Sequence, residues 1–99
     1  MIAVDVEASG IGPNEHSILS VGALDLDNPQ NQFYEECRAW EGATINDEAL
    51  AVNGFSREQA TDPAKQSEAE LAHKFAAWAE VCADRTLAGQ NVSFDRAIL

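Results

Sequence analysis

Basic residues are scarce in this chain: six Lys and Arg stand against seventeen Asp and Glu, a net charge of −11. Tight, non-specific binding to duplex nucleic acid depends on neutralising many phosphates, so this balance argues against it. A site that holds a few nucleotides through metal ions and stacking stays open. Long apolar runs are missing. None approaches the roughly eighteen residues of a membrane helix, so a membrane is not an expected partner. No basic stretch followed by an apolar one opens the chain, so no signal peptide is expected and the expected location is cytoplasmic. Cysteine is limited to Cys37 and Cys82, far apart and without metal-type spacing. One disulfide is an open alternative; in a reducing compartment they are expected to be two buried free thiols. Histidine is limited to His16 and His73, each isolated; they read as a loop residue and a helix-surface or edge residue, not as metal ligands. No repeat or low-complexity linker interrupts the sequence.

What remains is one small domain over residues 1–99, with 45% apolar residues to build a core. Its first strand is Ile2-Ala3-Val4-Asp5-Val6-Glu7. Side chains alternate along a strand, so Ile2, Val4 and Val6 point one way while Asp5 and Glu7 point the other. Two residues of strand rise put the carboxylates about 6.5–7 Å apart at Cα. Side by side they repel, and a divalent cation is the natural counter-charge, since hard ions such as Mg²⁺ take oxygen ligands. The plainer alternative is a solvated sheet face.

Ala8 to Asn14 is dense in turn formers, with Gly10 and Gly12 able to take positive φ or admit a close neighbour. Ile11 between them either folds back as a core plug or projects beside the site. A second strand is expected over 17–27, with Leu19, Val21 and Ala23 on one face and Ile18, Leu24 and Leu26 on the other. Gly22 suggests a bulge or close neighbour there. A turn at 27–31 leads to a third strand over 32–40, and the short connections imply antiparallel pairing of all three. Asn46 or Asp47 caps a short helix stopped by Asn53-Gly54, and Ser56 to Gln59 begins another turn.

The clearest helix runs over 67–84. Ser67 and Glu70 have the form of a capping box, and Leu71, Phe75, Trp78, Ala79 and Cys82 make an apolar stripe. A short strand at 86–89 follows, parallel to the first because a helical crossover precedes it. The chain closes on Asn91-Val92-Ser93-Phe94-Asp95, where Asn91 or Ser93 caps a new helix. Asp95 falls in its first turn, a position a carboxylate favours for the helix dipole alone.

Asp5-Val-Glu7 followed by Ser9-Gly10-Ile11, then Ile18-Leu-Ser-Val-Gly-Ala23, then Asn91-Val-Ser-Phe-Asp95 together resemble the DEDD exonucleases. The match is to their DnaQ-like branch, which includes ribonuclease T, oligoribonuclease and polymerase proofreading domains. Ile45 to Gly54 is also similar to the family's stretch between sheet and helix. The resemblance implies an α/β, ribonuclease-H-like mixed sheet: three antiparallel strands, then helix and parallel strand. It further implies hydrolysis of single-stranded DNA or RNA from the 3′ end with two Mg²⁺ or Mn²⁺ ions. By the family's motifs, Asp5 would bridge both ions, Glu7 would ligate one and Asp95 would help hold the other. Ser9, Gly10, Ile11 and Asn91 would lie beside the terminal nucleotide. Two cations suit this reaction because charge builds on both the attacking and leaving oxygens.

The family's third motif, a fourth carboxylate with a His or Tyr general base on a later helix, is not in the chain. The domain is therefore expected to be incomplete at its C-terminus, with weak or no activity as it stands. The competing expectation is a catalytically inactive exonuclease-like fold that binds nucleic acid or a protein. A receiver-type signalling domain also uses acids at strand ends, but the early antiparallel meander argues against it. Oligomeric state and the choice between DNA and RNA are not written in these residues.

Overall fold

The computed structural model describes residues 1–10 and 16–89. Its strands are β1 (Ile2–Ala8), β2 (Ile18–Asp25), β3 (Gln32–Glu36) and β4 (Leu87–Ala88). Its helices are α1 (Asp47–Asn53), α2 (Arg57–Ala60) and α3 (Glu68–Glu80), all between β3 and β4. The sheet order is β3-β2-β1-β4: β1 pairs antiparallel with β2, β2 antiparallel with β3, and β4 returns parallel to β1. The three-strand meander and the parallel return are those the sequence predicts.

Each helix starts where its first free N–H groups find a side-chain acceptor. Asn46 Oδ1 accepts from Glu48 and Ala49 N–H at 2.9 and 3.2 Å, so Asn46 rather than Asp47 is the cap of α1. Gly54 ends that helix at φ +78°, a backbone shape that favours glycine. Ser56 with Gln59 and Ser67 with Glu70 both form reciprocal capping boxes. The bond from Ser67 also holds the Glu70 carboxyl below its ordinary range.

Four elements are shorter than predicted, β4 by a residue at each end and the other three for local reasons. β2 ends at Asp25, whose carboxylate takes the Asp27 N–H at 3.0 Å and starts the turn. β3 stops at Glu36: Arg38 N–H turns to Gln66 O and Ala39 N–H to Ala60 O, drawing the chain off the sheet. α3 stops at Glu80, its last turn lacking any basic residue against the carbonyl dipole.

The helical stripe packs as its spacing dictates. Leu71 and Phe75 of α3 join Val4, Ile18, Val21 and Cys37 in one core, with Phe33, Trp78 and Leu87 at its margin. Phe33, Phe75 and Trp78 lie 5.6–5.9 Å apart by ring centroid, and the Trp78 indole donates to Asn31 Oδ1 at 2.8 Å. Both cysteines are buried and free, and burial foremost, with Glu68 second, pushes the Cys37 thiol up to about 12.

One expectation about β2 is corrected. Glu7 pairs with Ser20 but the next residue, Ala8, pairs with Ile18, so Leu19 is an extra residue in the ladder. That bulge reverses the facing of the strand beyond it. Ile18 therefore joins Val21 against α3, while Leu19 enters a second core with Leu50 and Ala60 on the other side. The irregularity sits at Leu19, not at Gly22, and Leu26 lies beyond the strand, exposed. Leu71 is wholly buried at the centre of the first core. Leu71→Ala is expected to lower unfolding free energy by about 2–5 kcal/mol, read by urea titration.

Candidate active site

The face of the sheet opposite α3 is a grid of short rows read from the pairing register. Asp5 stands opposite Gly22, and Gly22 opposite Tyr34; Glu7 stands opposite Ser20, and Ser20 opposite Glu36. Ala3, Leu24 and Gln32 form a third row, and with Asp5, Gly22 and Ala88 they line a shallow groove of about 520 Å³. The period-two alternation that buries Val4 is what carries Asp5 and Glu7 to this open side.

Asp5 is exposed and Glu7 half-buried. Burial foremost, then the charge of Asp5 and a hydrogen bond to it, hold the Glu7 carboxyl above its ordinary range. Two carboxylates that close make ionisation of one less favourable. Oxygen donors arranged this way fit a hard divalent ion, which would remove the repulsion. Among the described residues no group of three His, Cys, Asp or Glu could hold a metal; Asp5 and Glu7 stand as a pair. The predicted third ligand Asp95, together with Asn91 and Ile11, lies outside the described residues.

The other two predicted site residues lie immediately beyond β1. Ser9 is wholly buried: its hydroxyl donates to Thr44 O at 2.8 Å and accepts from Ser17 N–H at 2.9 Å. Its backbone N–H bonds Ser17 O and its carbonyl accepts from Asn46 N–H. Ser9 thus ties the end of the acidic strand to the start of β2 and to the cap of α1. The close neighbour expected at Gly10 is the His16 ring, which occupies the space a Cβ would take. Among the described residues positive φ occurs only at Gly42 and Gly54, so Gly10 serves by its size.

Reading the sequence alone missed Asn53, Glu68, Ser20, Tyr34 and Glu36. The Asn53 amide donates to Ala8 O at 2.9 Å, holding β1 from α1. Glu68 accepts from the Ser17 hydroxyl at 2.8 Å and pins the start of β2 to α3. The Tyr34 hydroxyl donates to Glu36 Oε2 at 2.7 Å, and Glu36 also takes Lys65 Nζ at 2.9 Å. Alternation along β3 puts Tyr34 and Glu36 on a common face. Only the register places that face beside Asp5 and Glu7.

No protein-family model and no curated protein matches the chain. Solved structures do. Apo exonuclease I superposes with a TM-score of 0.75 at 20% identity over 98% of this chain. Exonuclease I from Methylocaldum szegediense gives 0.78 at 21%, and the E. coli enzyme in complex with a dT13 oligonucleotide gives 0.75 at 21%. The fold is the ribonuclease-H-like fold of these exonucleases. The chain spans 21–22% of the length of those proteins, about a fifth. Within this fold β1 is the acidic strand, and α3 packs on its apolar side.

Two outcomes follow for the site. Gly10→Ala forces the His16 ring to move and is expected to cost about 1–3 kcal/mol; His16→Ala in the same chain should recover much of that loss, a coupling read by a double-mutant cycle. The raised Glu7 carboxyl makes its ionisation unfavourable to folding. Below the ordinary value of 4.5 both states hold the proton; as pH rises through the higher folded value, the folded state loses stability relative to that limit. Without divalent ions, Glu7→Gln should therefore melt above the parent at neutral pH and converge with it in acid, as followed by thermal melting.

Proposed function

We propose that this chain contributes to the catalytic centre of a metal-dependent 3′–5′ exonuclease that hydrolyses single-stranded nucleic acid from its 3′ end. The observation that carries the reading is the Asp5–Glu7 pair, hydrogen-bonded on the open face of β1 in an exonuclease I-type fold. Asp5 and Glu7 would hold Mg²⁺ or Mn²⁺, two ions in the complete centre, with Asp95 as a further ligand. When bound, such ions stabilise the attacking and leaving oxygens of the phosphodiester and supply hydroxide at neutral pH.

The chain's own residues prepare that site. Ser9 and Asn53 hold the end of β1, so the carboxylates are presented from a strand fixed on both sides. The acidic surface repels a polyanion, and cations seated between carboxylate and phosphate remove that repulsion where it matters. His73 cannot supply a base here, since it lies exposed on α3 and α3 packs on the other side of the sheet. A second reading, an inactive fold that binds nucleic acid or protein, is favoured by the count of two acidic ligands among the described residues.

Titration calorimetry with Mn²⁺ tests the site. Asp5→Asn should weaken binding at least about ten-fold while the melting curve stays cooperative, and parent affinity should rise as pH climbs through the elevated Glu7 value. Equal Mn²⁺ binding by parent and variant overturns the metal reading. Strand shortening from a labelled oligonucleotide, lost in Asp5→Asn, supports the enzyme; retained 3′-end binding with no shortening supports the inactive fold instead.

A further inference from the structure

The face that bears the two carboxylates also bears Tyr34, which is 61% exposed. Its neighbour Phe33 points to the other side and is spent in the core against Phe75 and Trp78. Tyr34 stands in the same cross-strand row as Asp5, two strands away, which puts their Cα atoms about 10 Å apart. Between them is Gly22, so no side chain rises to separate the ring from Asp5. A Cβ on Gly22 would lie 3.8 Å from Tyr34 Cδ1, which shows the ring leaning over the vacant position.

The ring is also held at its far end. Its hydroxyl donates to Glu36 Oε2, and the Ser20 hydroxyl donates to the Tyr34 phenolic oxygen. A ring fixed at both ends gives up little freedom when a flat group is laid on it. Covering Gly22 uses one side of that ring and leaves the other to solvent. The surrounding charge selects what can lie there. Glu7 and Glu36 stand in the row next to the ring's, so a phosphate is disfavoured on that side, whereas an uncharged base is not.

We propose that the solvent-facing side of Tyr34 stacks a nucleobase of the strand whose phosphate would meet Asp5 and Glu7 through the cations they hold. This rests on the exonuclease reading above and adds a base subsite to it. Stacking of this kind is tolerant of sequence because every base offers a π-face. The hydroxyl serves only to hold the ring.

The test is binding of oligothymidylate, measured in Ca²⁺ so that strands stay intact, with single abasic positions scanned along the 3′ end. The parent should bind the intact strand at least about ten-fold more tightly than a strand abasic at one of these positions. Tyr34→Phe should keep that preference and Tyr34→Ala should lose it, while Mn²⁺ binding alone stays the same in all three. Tyr34→Leu retains an apolar cover over Gly22 and should behave as Tyr34→Ala, which carries the test if the alanine variant fails to fold. A preference unchanged in Tyr34→Leu, lost in Tyr34→Phe or missing from the parent overturns the stacking subsite. No strand binding by the parent overturns the exonuclease reading as well, so the two failures are distinct.

Discussion

Backbone pairing of β1 on both edges is the constraint from which the rest of the architecture follows. β2 pairs along the whole of β1 and β4 with Ile2 and Ala3, so the strand is held in the ladder and differs between its faces only through side chains. Val4 and its neighbours on one face give α3 an apolar surface to cover. The opposite face then presents Asp5 and Glu7 with no freedom to turn away. The repulsion between them is a consequence of the strand period, and it persists because burying Leu71 and Phe75 against the other face holds the strand in that orientation.

Polar bonds do for the far end of β1 what the ladder does for its middle. Ser9, Ser17, Asn46, Asn53 and Glu68 connect the end of β1 with the start of β2, the cap of α1 and the first turn of α3. Each of these bonds satisfies a donor or acceptor that would be costly to bury alone, by about 1–3 kcal/mol. The bulge at Leu19 belongs to the same device. It turns one extra apolar side chain into the second core beneath Leu50 and Ala60, so this end of the sheet is covered on both sides while the groove beside Ala3 and Leu24 stays open.

The likeness to exonuclease I lies in this framework, at 20–21% identity over nearly the whole chain. At that level the likeness is one of fold rather than of side chains. Packing tolerates exchange of one apolar residue for another of similar volume; the order of strands does not tolerate exchange at all. The acidic pair sits in the part of the framework with the fewest ways to be rearranged.

Local chemistry was legible in the amino-acid order. The alternation of Ile2 to Glu7, the capping box of Ser67 with Glu70, the Asn46 cap and the Gly54 stop each depend on residues within a few positions of one another, so strands, helices and the facing of Asp5 and Glu7 follow from the sequence alone. The features that tertiary structure decided all join residues distant in the chain. Leu19 became a bulge only because Ala8 pairs with Ile18. Ser9 became a buried tie only because Thr44 and Ser17 reach it, and Gly10 yields its space to His16. Tyr34 came beside the carboxylates through two strand pairings and a missing Gly22 side chain. Period and capping are properties of a segment, whereas register is a property of two segments meeting, and one residue of slip exchanges every face.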